Sequence, residues 1–190
     1  MQASFPPDGA DTHQRSRDAT PNTMKLRKVS VETAEQATGP IHFYRLKDAF
    51  GEFSNFSPHP FRLKHRVWPT TEHYFQAQKF AGTEHEEEIR AVKSPMIAAR
   101  LGRARSRPLR PDWDAVKEDI MREALRAKFS QHPDLRKLLV GTRDRPLVEH
   151  TRNDRYWGDG GDGTGRNRLG ALLMELRSEW MREETSNATP

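Results

Sequence analysis

DWDAVKEDIMREALRAKF, residues 112–129, decides the fold class. Its apolar positions Trp113, Val116, Ile120, Ala124 and Ala127 step by three or four residues. That spacing lays one apolar stripe along a helix, and such a stripe has to be buried against other elements. Asp112 stands where an N-cap is expected. Working outward, His132-Pro133 opens a short helix that Gly141 ends. Asn167 is placed to cap a last helix whose Leu169, Leu172, Leu173, Leu176 and Trp180 form a second stripe. On the N-terminal side, Ser94-Pro95 reads as an N-cap followed by proline at the first helical position, with Gly102 as the stop. Thr83-Glu84-His85-Glu86 has the form of a capping box. Thr70 or Thr71 caps a helix reaching Ala81, which Gly82 closes.

Between these helices lie β-prone runs. Ile41 to Tyr44 and Phe61 to Trp68 read as strands flanking a loop over 51–60, and Leu147 to Thr151 is a third. Three short strands make one small sheet. The expected fold is mainly α, of the α+β class: a compact helical domain with a few short strands over residues 39–184. Residues 1–38, rich in Pro, Asp, Ser, Thr and Gln without any period, read as a disordered tail, and 185–190 as a short C-terminal tail.

The chain of 190 residues is 34% hydrophobic and 31% charged, with a net charge of +5. A basic balance favours anionic partners such as phosphates, nucleotides or nucleic acid. The chain has no cysteine, which excludes a disulfide framework, a thiolate nucleophile and a Cys-based zinc site. It has no apolar run of about 18 residues to span a membrane, and its first 30 residues lack the apolar segment of a secretory signal. A cytoplasmic protein with no membrane partner is expected.

Three segments break the pattern of core and solvated face. Phe50 to Pro58, FGEFSNFSP, alternates aromatic with small polar residues. Rings such as Phe56 can sandwich a base or sugar while Asn55 hydrogen-bonds it; alternatively the loop tucks onto the core. Trp68 to Phe80, WPTTEHYFQAQKF, puts Glu72 in a helical first turn. The helix dipole alone favours an acid there, but Gln76 one turn on and the interleaved aromatics also suit the wall of a site. Glu149 to Gly170 holds six of the twelve glycines, with Asp154, Asp159 and Asp162 beside Trp157. Gly158, Gly160 and Arg168 of this segment suit a phosphate cradle before a helix, although neither a Walker A motif nor GxGxxG is present. A mobile loop is the alternative. The basic run Arg100, Arg103, Arg105, Arg107 and Arg110 suits phosphates, nucleic acid or a solvated surface.

Taken in order, FGEFSNFSPHPF, WPTTEHYFQAQKF, SPMIAARLGR, the Trp113 region and NDRYWGDGGDGTGRNRLG resemble the YbiA/NADAR family from about Ile41 to Trp180. The resemblance implies a compact, mainly helical fold and hydrolysis of the bond between ribose C1′ and a nitrogen. The substrates it implies are phosphorylated ribosylamino-pyrimidine intermediates of riboflavin biosynthesis. ADP-ribosyl-guanine in DNA, or mere sensing of ADP-ribose or NAD, are the alternatives. Glu72, Trp113 and the Asp154 segment match active-site positions of the family. Glu72 is then the carboxylate at the reaction centre and Asp154 the second, with roles open to exchange. Asn55, Phe56, Trp113 and Trp157 are expected to hold base and sugar, and Gly158, Asp159, Gly160 and Arg168 the phosphate end. The chemistry calls for no cofactor and no metal, and no metal-ligand spacing such as HExxH occurs.

Overall fold

The computed structural model describes residues 39–187; the expected tail over 1–38 lies outside the described residues, as do 188–190. The helices are α1 (Thr71–Gln78), α2 (Glu84–Ala91), α3 (Pro95–Gly102), α4 (Trp113–Gln131), α5 (Pro133–Val140) and α6 (Arg168–Asn187). The strands are β1 (Ile41–Phe43), β2 (Phe61–Leu63), β3 (Arg66–Trp68) and β4 (Leu147–Glu149), with a single 3₁₀ turn at Gly51–Phe53. The class is the expected mainly helical α+β. Helix α6 runs on through Asn187, so residues 185–187 are helical where a tail was expected.

Two of the expected caps form. The Thr70 hydroxyl accepts the His73 amide at 3.3 Å, and the Ser94 hydroxyl accepts the Met96 amide at 3.3 Å ahead of Pro95. The others are replaced by stronger competitors. The Asp112 carboxylate leaves α4 without a side-chain cap and pairs with the Arg110 guanidinium at 2.6 and 2.8 Å; a two-point charged pair outweighs one amide bond. Thr83 donates to the Phe80 carbonyl at 2.8 Å, and Glu86 accepts from the Gly82 amide at 2.8 Å. The capping box is therefore half formed and displaced by one residue. Asn167, with φ of 49°, turns its carboxamide to β4. There it donates to the Leu147 carbonyl at 2.8 Å and accepts from the Glu149 amide at 3.0 Å.

The strands also depart from expectation. Phe61–Trp68 is a hairpin: β2 and β3 pair antiparallel, with Phe61 opposite Trp68, around Lys64 and His65 at φ of 51° and 62°. β1 and β4 pair parallel, Ile41 beside Leu147 and Phe43 beside Glu149. Two two-stranded sheets thus replace the single one expected.

Helix α1 is the centre of the domain. All eight of its residues are buried, and α2, α3 and α4 pack around it. The α4 stripe is buried at Trp113, Ile120, Ala124 and Ala127, with Val116 partly so, and the five stripe residues of α6 are all buried. Each fully buried side chain of this size stabilises the fold by about 1.5–3 kcal/mol. The exposed pairs Arg122–Glu175 and Arg126–Glu179 that link α4 to α6 contribute ~1 kcal/mol or less each, so the stripes set how these helices pack.

Candidate active site

Glu72 lies in the first turn of α1 yet is only 6% exposed. The loop before it explains why. The Asn55 carbonyl accepts the Glu72 amide at 3.0 Å, so the FGEFSNFSP loop folds over the helix N-terminus and covers it. One turn on, Gln76 donates to Glu72 Oε1 at 2.8 Å. Gly102 lets α3 come this close: a Cβ there would collide with the Gln76 side chain. Burial raises the Glu72 pKa; the Gln76 bond and the charges of Arg103 and Lys79 oppose the rise, and Asp154 adds to it.

The covering loop is itself anchored from below. Lys128 of α4 is fully buried and donates to the Glu52 carbonyl at 2.6 Å, the Ser54 carbonyl at 3.2 Å and Ser57 Oγ at 2.5 Å. Burial pulls its pKa down to about 7, against the pull of Glu52. Asn55 is buried with its Oδ1 unpartnered. Phe56 is half-buried and stands outside the hydrophobic core. Both sequence-assigned contacts therefore have unused groups.

The opposite wall comes from the glycine-rich segment. Asp154 Oδ1 accepts the amides of Tyr156 and Trp157 at 2.8 and 2.7 Å, and Oδ2 has no hydrogen bond among the described residues. Trp157 meets the edge of Phe75 at 5.2 Å between centroids, and Phe75 meets Trp113 at 5.0 Å. Phe75, on the same helix as Glu72, thus joins the two tryptophans that the sequence assigned separately. Glu149 at the end of β4 was missed by the sequence reasoning. It shares the parity of buried Leu147, and that alternation was the available signal. Burial, then repulsion from Asp154, Glu72 and Asp159, raises its pKa to about 8. Carboxyls from α1, β4 and the glycine-rich loop thus lie within electrostatic reach of one another, and the raised pKa keeps Glu149 protonated at neutral pH.

The expected phosphate cradle looks different in detail. The Gly160 amide donates to the Asp154 carbonyl at 3.2 Å, Gly161 to Asp159 Oδ1 at 2.8 Å and Gly165 to the Asp159 carbonyl at 2.8 Å. Gly158 is hemmed in by Thr151, Glu149 and Asp154. Asp159 is buried and also accepts from the Thr151 amide and from His150. Although burial works against it, these bonds hold its carboxyl below the usual range. Arg168 grips Glu118 at 2.9 and 2.6 Å, and the Tyr156 hydroxyl donates to Glu118 at 2.6 Å. These residues brace the loop behind Trp157, and of the groups expected to hold phosphate the Gly160 amide and the Arg168 guanidinium are bonded to the chain itself.

The basic run, in contrast, reaches the site. Lys79, Arg103, Arg105, Arg107 and Trp113 line a cleft of about 400 Å³. Among the described residues no group of three or more His, Asp or Glu is placed to hold a metal ion, and no helix is long and apolar enough to cross a membrane.

Buried carboxyls, tilted and edge-on aromatic rings and a neighbouring cleft lined by cations make a candidate site for polar chemistry. The NADAR domain model matches residues 42–181, and the chain belongs to the NADAR family. It is 60% identical over 156 residues to the N-glycosidase YbiA of Escherichia coli strain K12, a match spanning 82% of this chain and 97% of that one. It is 41% identical over 174 residues to the chloroplastic riboflavin biosynthesis protein PYRR of Zea mays, spanning 84% of this chain and 28% of that protein. The NMR structure of E. coli YbiA superposes with a TM-score of 0.73 at 58% identity, covering 77% of this chain and 88% of that one.

Proposed function

We propose that the chain is an N-glycosidase that hydrolyses the ribose C1′–N bond of a phosphorylated ribosylamino-pyrimidine of the riboflavin pathway. Family membership with its N-glycosidase relatives supports the reaction class, and the riboflavin name of the maize relative supports the pathway. The observation that carries the site is Glu72: a carboxylate sealed under the Asn55 loop, held by Gln76, within electrostatic reach of Asp154 and Glu149.

Breaking a ribosyl C–N bond builds positive charge on C1′ and the ring oxygen. A carboxylate in a water-poor site stabilises that charge far better than one in water. Glu72 takes this role and orients the attacking water. Asp154, whose Oδ2 has no hydrogen bond among the described residues, holds the ribose hydroxyls or assists the leaving group. Glu149, protonated at neutral pH, is the nearby proton store for the departing nitrogen. Phe56, Trp113 and Trp157 flank the base and sugar, and Asn55 offers its unpartnered Oδ1 to them. Asp159, Gly158, Gly160 and Arg168 act by holding Asp154 and Trp157 in place. Hydrolysis of this kind involves no electron transfer and so asks for no cofactor. Arg107 is paired with Glu88 and Arg110 with Asp112, which breaks the basic run into a short patch and favours a small substrate over a nucleic-acid track. A chain without cysteine suits the cytoplasm we assign to it.

The test is release of free base from the ribosylamino-pyrimidine phosphate and from an oligonucleotide carrying ADP-ribosyl-guanine, with Glu72→Gln as control. Turnover of the first substrate, lost by about 10²–10⁴-fold in a folded Glu72→Gln protein, is the expected result. Turnover of the second alone would move the assignment to DNA, and a fully active variant would remove Glu72 from the chemistry.

A further inference from the structure

The cleft beside Glu72 holds more positive charge than its surroundings balance. Arg107 is matched by Glu88 at 2.8 Å. Lys79 donates to the Gly102 carbonyl at 3.1 Å and lies over the rings of Phe75 and Trp113 at 5.8 and 5.5 Å. The guanidinium groups of Arg103 and Arg105 have no hydrogen bond or ion pair among the described residues, and both are exposed to the cleft. Glu72, whose charge couples to Arg103 and Lys79, is itself buried and bonded to Gln76.

Like charges gathered at a concave wall repel one another and concentrate the field in the space between them. The repulsion is visible on Lys79: burial lowers its pKa, Glu72 partly restores it, and Arg103 lowers it further. An anion in the cleft relieves that repulsion. Its place along the site is set by α1, because Glu72 and Lys79 are seven residues apart on one side of the same helix, about 10 Å by the helical rise. The Lys79 ammonium lies 5.8 Å from the ring of Phe75, which stands between the two in sequence.

We propose that Lys79, Arg103 and Arg105 form a phosphate-monoester subsite, and that the substrate's ribose bridges it to Glu72. The proposal rests on the glycosidase reading for the far end of the substrate. It moves phosphate recognition from the glycine-rich loop, whose Gly160, Gly161 and Gly165 amides are bonded within the loop, to the end of α3. Guanidinium groups suit the purpose, because their forked N–H groups match phosphate oxygens two at a time.

The probe is ribose 5-phosphate, with ribose and inorganic phosphate alongside, titrated calorimetrically into the wild-type chain and into Arg103→Gln/Arg105→Gln. Both arginines are exposed, so the double variant keeps its fold, which circular dichroism checks. Ribose 5-phosphate is expected to bind at least tenfold tighter than ribose, to weaken with added salt, and to strengthen as the phosphate takes its second charge near pH 6. The double variant is expected to lose tenfold or more. Equal binding of ribose 5-phosphate to wild type and variant, or no advantage over ribose, overturns the subsite. Binding is read without turnover, so the two readings fail separately. Arginine-dependent binding with no base released from any substrate removes the glycosidase and keeps the subsite. Turnover with an unchanged KM in the double variant does the reverse.

Discussion

Replacing Lys128 by methionine separates what a buried charge does to stability from what it does to the site. The ammonium is fully buried, and its pKa falls from 10.5 to about 7. The unfolded chain keeps the ordinary value. Between pH 7 and 10.5 the unfolded state therefore holds a proton that the folded state lacks, and stability rises with pH across that window. Three pH units correspond to about 4 kcal/mol. Below pH 7 both states are protonated, and the wild type bears the whole burial penalty. Methionine removes the penalty but takes one hydrogen bond each from the Glu52 and Ser54 carbonyls and Ser57 Oγ, which keep the Ser57 Oγ–Glu52 and Ser57 amide–Ser54 bonds within the loop, at about 0.5–1.5 kcal/mol each. The two effects nearly cancel at pH 6. Urea unfolding of both proteins at pH 6, 7, 8, 9 and 10 measures the difference. Stability of wild type minus variant is expected to climb by about 4 kcal/mol between pH 7 and 10. A difference that stays flat refutes a buried, titrating Lys128. The loop that Lys128 holds carries Asn55 and Phe56, so the variant should also show faster amide exchange over residues 52–57 and a raised KM.

Other outcomes follow from the same geometry. If Glu149 supplies its proton to the leaving group, kcat falls as pH rises through about 8, and Glu149→Gln lowers kcat and abolishes that limb in a pH–rate profile. Asn167→Ala unlatches β4 from the start of α6 and should lower stability by about 1–3 kcal/mol in denaturant unfolding. Gly102→Ala should displace Gln76, weaken its grip on Glu72 and lower kcat more than it raises KM, read from steady-state kinetics.

The helices were legible because their stripes and the Thr70 and Ser94 caps obey local rules. The hairpin at Lys64-His65 was not, because two ordinary residues take the left-handed conformation that Asn-Gly usually announces. The parallel pairing of β1 with β4 was hidden for another reason: its partners lie at opposite ends of the domain. At the site, Glu72 could be singled out by its neighbours but its burial could not, since that depends on the Asn55 loop. Lys128 falls one turn after Ala124 on the buried stripe, where apolar spacing alone does not single out a lysine. The amide bonds that close the glycine-rich loop on Asp159 depend on tertiary geometry that composition does not reveal.

The pairing of β1 with β4 also limits when this part of the site can form. Glu149 sits beside Phe43 in that pair and is latched by Asn167 at the mouth of α6. A ribosome making the chain must deliver almost the whole domain before this contact can close, and contacts so distant in sequence form slowly. Helices α1 to α5 can assemble on the emerging chain, but Glu149 is latched only once Asn167, at the start of α6, is present. The Glu149 latch therefore cannot close before Asn167 has been synthesised.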